Sequence, residues 1–465
     1  MKRYEAVIGL EVHIELSTKS KMFCACSADY FTAEPNTHTC PICLGFPGAM
    51  PNANKVAVGY AQKFGAALGC QAVQKAKFDR KNYFYPDLAK GFQISQYDLP
   101  FSQNGEIAIE VNSEKKKIRI ARAHLEEDTG KLIHSKVNGR DVTLIDFNRS
   151  GVPLLEIVTE PDMNSADEAR AYAQKLQQIA RYLGVSDADM EKGSVRIEPN
   201  VSLRKESKSK RVKESKLPHY ISSRPSVSTD VILPDYKVEL KNINSFRFVK
   251  QAIEYEIKRQ GEILDFGKTP AQETRGYNER EQKTVSQRSK EFAHDYRYFP
   301  EPDLPPFVFD KEYLKKLEQQ IPELADAKFK RFQKDYQLTE YEAEILARNK
   351  DIAAYFEEAV KAGKESGISA KRIATELINK KPTIEQTLPA AFVKMIYQNS
   401  QVAQIDDDEL DKIIEGVLRE NAKAVEDYKS GKQNAIMFLV GQVMRKVGKK
   451  IDSNLVKEKI KESIK

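Results

Sequence analysis

Four of the five cysteines stand close together, as Cys24-Ala-Cys26 and Cys40-Pro-Ile-Cys43 with a loop between the pairs. Four thiolates at this spacing surround zinc tetrahedrally, and a site closed in this way is structural because no position is left for water. The bland alternative is four reduced, buried thiols. Pairs so near in sequence seldom arise from packing alone, which favours zinc. His38 lies inside the loop and is a less suitable ligand, and Cys70, in the apolar stretch AALGCQAV, reads as an inert core residue. The second constellation is Gly9-Leu10-Glu11-Val12-His13-Ile14-Glu15. On a strand, Glu11, His13 and Glu15 share one face while Leu10, Val12 and Ile14 share the other. Two carboxylates and an imidazole on one face can bind a divalent cation together with nucleotide phosphates. Taken alone, the motif is equally an exposed polar face of a half-buried sheet.

More acids follow. His124-Leu125-Glu126-Glu127-Asp128 places three consecutive carboxylates after a strand, and Asp146, Glu156, Asp187, Asp189, Glu191 and Glu198 extend the supply. Hard oxygen ligands suit magnesium or calcium better than a soft metal. Lys77, Arg80, Lys81, Arg149, Arg196 and Arg204 are interleaved with them and can offset phosphate charge. Such a mixture is what phosphoryl transfer requires, although surface ion pairs account for part of it. The run Lys77–Asp87 (KFDRKNYFYPD) mixes aromatic and basic residues. It reads as an active-site wall, with base stacking or ordinary core packing as alternatives. Gly261…Gly267-Lys268-Thr269 has one residue too many for a Walker A loop and follows a helix, so it is rejected; G-x-G-x-x-G and G-x-S-x-G are missing.

These residues need a scaffold. Alternating segments at Tyr4–Leu16, Glu106–Val111, Lys117–Ala123, Val142–Phe147 and Val195–Leu203 predict strands of a largely antiparallel sheet. Helical patterns fall at Asn54–Leu68, Ala166–Leu183 and Phe246–Gln260. The irregular mixture makes the fold class α+β, a mostly antiparallel cradle over residues 1–295. Lys205–Lys216 (KESKSKRVKESK), in a polar segment reaching about Asp235, predicts a mobile surface loop. Beyond the proline-rich break Tyr298–Pro306 the pattern is helical, giving an all-α domain over 296–405 and a small helical tail over 406–465. In the tail, Leu410, Ile413, Ile414, Val417 and Leu418 form one apolar stripe, and Ile436, Leu439, Val440, Val443, Met444 and Val447 form another.

With 465 residues the chain needs more than one core, and at 40% hydrophobic and 31% charged it is ordinary for a soluble protein. No apolar run reaches the roughly 20 residues that span a bilayer. The opening lacks the pattern of a signal peptide, so the chain reads as cytoplasmic. Net charge is only +7, and residues 431–465 hold nine basic against three acidic side chains. A basic end suits a phosphate backbone, or is simply a solvated helix face.

Several long blocks now carry a family resemblance. YEAVIGLEVHIELSTKSKMF at 4–23, KFDRKNYFYPDLAKGFQISQYDLP at 77–100, HLEEDTGK at 124–131, DFNRSGVPLLEIVTEPD at 146–162, ELKNINSF at 239–246 and DYRYFPEPDLPP at 295–306 closely resemble the B subunits of heterotrimeric tRNA-dependent amidotransferases. GKQNAIMFLVGQVMRKVGK at 431–449 resembles that family's tRNA-contacting tail. The resemblance implies ATP-dependent phosphorylation of the side-chain carboxylate of Glu-tRNA(Gln) or Asp-tRNA(Asn), then displacement of phosphate by ammonia. The partners it implies are misacylated tRNA, a small C subunit, and an amidase, the A subunit, which supplies the ammonia. By resemblance the magnesium and nucleotide site falls on Glu11, His13 and Glu127, with Glu126, Asp128 and Glu156 as further members. Arg149, Arg196 and Arg204 are the candidate phosphate-side cations. Lys81 and Asp128 resemble the polar mouth that receives ammonia. Cys24, Cys26, Cys40 and Cys43 match the zinc-bearing branch, where zinc is scaffold. The segment 205–235 is longer than the family pattern.

Two other readings compete. A zinc-bearing tRNA-binding protein without catalysis would keep the cysteines and the basic tail but would not need acids on the Glu11 strand. The related archaeal protein that acts only on Glu-tRNA(Gln) carries an inserted domain, for which this chain is too short.

Overall fold

Alternation decides the first element. In Tyr4–Glu15 the apolar Ile8, Leu10, Val12 and Ile14 are buried on one face, so the intervening polar residues turn to the other. This strand is the centre of a nine-stranded sheet in the computed structural model, which describes residues 4–205, 233–289, 296–400, 406–448 and 451–464. The sheet runs Lys283–Ser289, Glu273–Asn278, Val238–Lys241, Val195–Lys205, Tyr4–Glu15, Pro153–Thr159, Glu114–Glu127, Ser102–Val111, Gln71–Ala72. Neighbours are antiparallel except Val238–Lys241 beside Glu273–Asn278. The α+β expectation therefore holds. The segment expected as a loop lies, apart from Lys205 and residues 233–235, outside the described residues.

Helices Lys55–Ala67, Ala166–Leu183 and Phe246–Asp265 cover the apolar face. Each starts at a side-chain cap: Asn54 accepts from the amides of Val56 and Ala57, Ser165 from Glu168 and Ser245 from Phe248. Gly184 ends the second helix in the left-handed conformation that glycine adopts without strain. Phe64, Phe78, Phe101, Tyr172 and Leu176 fill the space between the helices and the sheet.

Two smaller pieces flank the main sheet. Phe92–Ser95, Asp79–Asn82 and Phe299–Pro300 form a three-stranded sheet, in which Arg80 grips Glu301 through Nε (2.7 Å) and Nη2 (2.8 Å) and so ties the proline-rich segment to the basic–aromatic run. The strand expected at Val142–Phe147 forms at Arg140–Asp146. It pairs only with Lys131–Val137, as a separate two-stranded hairpin with both strands largely exposed.

The chain divides into two compact units, 1–324 and 325–465. The second is helical from Ala325–Tyr336 to Ser453–Ile464 among its described residues, with one core around Phe332, Phe356 and Phe392 and another around Leu410, Ile414, Leu439, Val443 and Val456. In the first of these cores Lys328 and Arg331 both pair with Glu357. Burial works against ionisation there, but these hydrogen bonds hold the Glu357 carboxyl below its ordinary value. A carboxyl lowered on folding adds stability that is complete above its unfolded pKa and is lost as pH falls through the folded value. Glu357→Gln is expected to be less stable than the parent at neutral pH and to lose less on acidification below about pH 5. Parallel pH slopes for the two proteins in urea titrations would remove this pairing as a source of stability.

Candidate functional site

Register assembles the site. Pro153–Thr159 places Glu156 directly opposite His13, and Glu114–Glu127 places His124 directly opposite Glu156. Glu126, two residues beyond His124, lies on the same face. His13 Nε2 is 3.5 Å from both Glu126 Oε1 and Glu156 Oε2 and 3.7 Å from Glu11 Oε1, while His124 Nε2 is 3.3 Å from Glu156 Oε2. Glu126 and Glu156 are buried, whereas the Glu11 side chain is 31% exposed and forms the open edge. Donor atoms of Glu11, His13 and Glu156 all lie within 4.8 Å of one another, as do those of His124, Glu126 and Glu156.

The electrostatics follow from crowding anions in a dry place. Burial, followed by the Glu156 charge, raises the Glu11 carboxyl to about 7, against the pull of His13. Burial opposes the charged form of His13, yet Glu156, Glu126 and Glu11 together carry its imidazole to about 9. Glu156 is buried too, and the charges and hydrogen bonds of His124 and His13 hold it well below the usual carboxylate range. Without a metal, the acids recruit a proton to His13. The Nδ1 atoms of His13 and His124 are buried and have no hydrogen-bond partner among the described residues. A set of carboxylate oxygens with imidazole nitrogen fits a hard or borderline divalent cation.

Lys81, on Asp79–Asn82, faces this cluster. Burial opposes its charge, but Glu126 and Glu156 hold its pKa well above the ordinary lysine value, and its ammonium lies over the Tyr296 and Tyr83 rings at 5.2 and 5.8 Å. The aromatic run to which Lys81 belongs divides in two. Phe78 is core, while Phe84 and Tyr85 are exposed.

A second knot adjoins the first. Arg196, paired across the strands with His13, makes a two-pronged contact with Asp128 at 2.8 and 3.1 Å. Arg149 donates to the carbonyls of Thr129 (3.0 Å) and Gly130 (2.8 Å) and lies 3.7 Å from Asp128. Against the cost of burial, the two arginines keep the Asp128 carboxyl well below its usual value. The structure thus brings together Glu11, His13, Glu126, Glu156 and Lys81, with Asp128, Arg149 and Arg196 alongside.

Two expected members are placed elsewhere. Glu127 turns to the opposite face, where it pairs with Lys90 and accepts from the Ile94 amide at 3.0 Å, so Glu126 takes the position beside His13. Arg204 sits opposite Glu5 and bonds it at 2.8 Å, eight residues along the strand from His13 and roughly 26 Å away. Sequence reasoning singled out neither the His124 contact with Glu156 nor Lys241, which holds Glu198 at 2.9 Å beside Glu11. Their signal is cross-strand register, which spacing alone does not reveal.

The thiols of Cys24, Cys26, Cys40 and Cys43 converge, with ligand atoms within 4.8 Å of one another. Lys21 is fully buried beside them and donates to the carbonyls of His38 (2.7 Å) and Phe147 (3.3 Å), with Cys43 Sγ at 3.7 Å. Among the described residues no carboxylate lies within ion-pair distance of this ammonium, and Cys43 Sγ is within its reach as a thiolate partner. The hydrogen bond from Cys24, opposed by burial and helped by Lys21, brings the Cys43 thiol down to about 4. Four convergent sulfurs with a buried cation behind them fit a tetrahedral metal.

The comparisons with known proteins cover both units. The model described as GatB/GatE catalytic domain matches residues 6–315, and the one described as GatB domain matches 311–464. The chain belongs to the GatB/GatE family. Among curated relatives, the B subunit of aspartyl/glutamyl-tRNA(Asn/Gln) amidotransferase from Carboxydothermus hydrogenoformans is 43% identical over 100% of this chain and 99% of its own. The protein of that name from Thermoanaerobacter pseudethanolicus is 44% identical over 99% of each, and that from a Thermotoga species 41% over 97% of each. The family resemblance read from the sequence blocks is thereby confirmed. No described helix is long and apolar enough to cross a membrane.

If Lys21 is the counter-charge of the sulfur cluster, Lys21→Met is expected to weaken zinc retention by about 10–100-fold, measured by competition with a chromogenic chelator. Retention equal to the parent's would show that the ammonium plays no part in holding metal.

Proposed function

We propose that this chain is the B subunit of a cytoplasmic Asp/Glu-tRNA amidotransferase and carries its kinase and transamidase steps. ATP phosphorylates the side-chain carboxylate of Glu on tRNA(Gln) or of Asp on tRNA(Asn). An oxygen of that carboxylate attacks the γ-phosphorus and ADP leaves. Ammonia then attacks the carbonyl carbon of the acyl phosphate, losing a proton as inorganic phosphate departs. The first step is needed because an ionised carboxylate repels a nucleophile and lacks a leaving group. The observation that carries this reading is the sheet face joining Glu11, His13, Glu126 and Glu156, in a chain similar over its full length to amidotransferase B subunits.

Glu11, His13, Glu126 and Glu156 would hold magnesium, which when bound offsets charge on the triphosphate. Glu11, at the open edge, meets the incoming nucleotide, while the buried Glu126 and Glu156 fix the direction of the field. Lys81, between the tyrosine rings and the acids, supplies positive charge where the transferred phosphoryl group gathers negative charge. Asp128 and Lys81 border the path for ammonia, and Arg196 and Arg149 beside Asp128 are the phosphate-side cations. Residues 1–295 form the cradle, 296–405 a helical domain and 406–465 a tail that contacts tRNA. Zinc at Cys24, Cys26, Cys40 and Cys43 is scaffold. Ammonia comes from a partner amidase, the A subunit, and a small C subunit completes the assembly. A tRNA-binding protein without catalysis has no use for the acid face, and the catalytic-domain match over 6–315 goes against it.

In the assembled complex, Glu11→Gln or Glu126→Gln is expected to lower Glu-tRNA-dependent ATP hydrolysis at least 100-fold, leaving glutamine hydrolysis and tRNA binding near parental levels. Full amidation by either variant would refute the assigned site. Removing 406–465 is expected to weaken tRNA binding at least tenfold in filter-binding assays while ammonia-dependent turnover persists at saturating tRNA. Unchanged affinity would exclude the tail as an RNA contact.

A further inference from the structure

The loop between the cysteine pairs does more than close on its own sulfurs. Its tip is fastened to the segment that follows the exposed hairpin. The Asn36 amide donates to Asp146 Oδ1 at 2.9 Å, the Phe147 amide to Asn36 Oδ1 at 2.8 Å, and the His38 amide to Asn148 Oδ1 at 2.7 Å, while Asn148 Nδ2 donates to the Glu34 carbonyl at 2.7 Å. Asn36 occupies the left-handed region, φ 62°, which asparagine tolerates better than most residues. Its root is held by the sulfur cluster, with Lys21 bridging the His38 and Phe147 carbonyls. Fixed at both places, the loop delivers one side chain to the sheet. Tyr30 Oη lies 3.0 and 2.9 Å from the two oxygens of Glu15.

Glu15 is buried at the end of the strand that carries Glu11 and His13, with its carboxylate 3.8 Å from Arg196 Nη1. Arg196 therefore has two acids within reach and is committed to Asp128 by a two-pronged contact. A planar guanidinium holds a carboxylate best through two parallel bonds, and the Glu15 carboxyl shares a hydrogen bond with the same Asp128 that Arg196 grips. The Tyr30 hydroxyl holds Glu15 in that position.

We propose that Tyr30 is a positioning residue for the phosphoryl-transfer site: by holding Glu15, it keeps the Arg196 guanidinium on Asp128 and so fixes the positive charge next to His13. The sulfur cluster reaches the site through this hydroxyl as well as through the segment preceding Arg149. Phenylalanine at position 30 keeps the ring and its packing, releases the Glu15 carboxyl, and so loosens the Asp128 side chain to which both Glu15 and Arg196 are bonded.

This inference rests on the assignment of the acid face as the phosphoryl-transfer site, and the test separates the two. Tyr30→Phe, Glu15→Gln, the double variant and Glu11→Gln are compared in the assembled complex for zinc content, melting temperature and steady-state Glu-tRNA-dependent ATP hydrolysis. Tyr30→Phe is expected to lower kcat about tenfold, the effect of one hydrogen bond to a charged group, with the KM for tRNA unchanged and zinc content and melting temperature at parental values. The double variant is expected to match Glu15→Gln alone, because the hydroxyl acts only through that carboxylate. A parental rate for Tyr30→Phe, a multiplicative loss in the double variant, or zinc loss in Tyr30→Phe would each overturn the proposal. If Glu11→Gln is inactive while Tyr30→Phe is parental, the positioning role alone fails. An active Glu11→Gln removes the assignment on which it rests.

Discussion

Glu126 and Glu156 are buried on one face of the central sheet, and Glu11 stands at the edge of the same group. Ionised carboxylates so close together in a dry site persist only with positive charge among them. The acids raise His13 toward its charged form, and Lys81 on Asp79–Asn82 and Arg122, 3.8 Å from Glu156, add positive charge. The donor set of this face fits a cation. A divalent ion held by Glu11, His13, Glu126 and Glu156 would satisfy the same field. The nucleotide binding and carboxylate activation proposed for this face rest on that demand.

The scaffold meets this demand with long strands and hydrogen-bonded ties. Antiparallel register across Tyr4–Glu15, Pro153–Thr159 and Glu114–Glu127 sets His13, Glu156 and His124 in one row, and nothing local to any single strand could do so. On the opposite face Ile8, Leu10, Ile157 and Leu125 are buried under helices, so a slip of one residue would drive the acids into the core. The sulfur cluster belongs to the same logic. It stiffens a loop that carries no regular secondary structure beyond isolated bridges, and that loop then reaches both Glu15 and the segment preceding Arg149.

Much of this was legible in the sequence, for identifiable reasons. Strict alternation placed Glu11, His13 and Glu15 on one face, and C-x-C with C-x-x-C spacing marked the sulfur cluster, because both patterns are local. Helical periodicity gave the helix starts closely, and Ala166–Leu183 forms with the expected bounds. The choice between Glu126 and Glu127 was not legible. Ile118 and Ile120 face the core, yet after the irregularity opposite Val158 and Thr159 the core residues are Ala123 and Leu125. The bulge exchanges the faces, so alternation carried forward from Ile120 points Glu127 toward His13 when Glu126 is the residue that arrives. Arg204 is misleading in a different way. It lies on the strand that carries Arg196, but the strand is long enough to bring it beside Glu5. A loop-to-strand partnership such as Tyr30 with Glu15 leaves no trace in spacing.

The proposed chemistry requires a divalent cation and the triphosphate to meet on the acid face. Manganese can replace magnesium, and its anomalous scattering locates it in crystals of the assembled complex grown with a non-hydrolysable ATP analogue. The predicted result is an anomalous peak ligated by Glu11, His13 and Glu156 or Glu126, in contact with the triphosphate. A nucleotide-bound manganese peak elsewhere on the chain, with these four side chains still bonded only to one another, would contradict it.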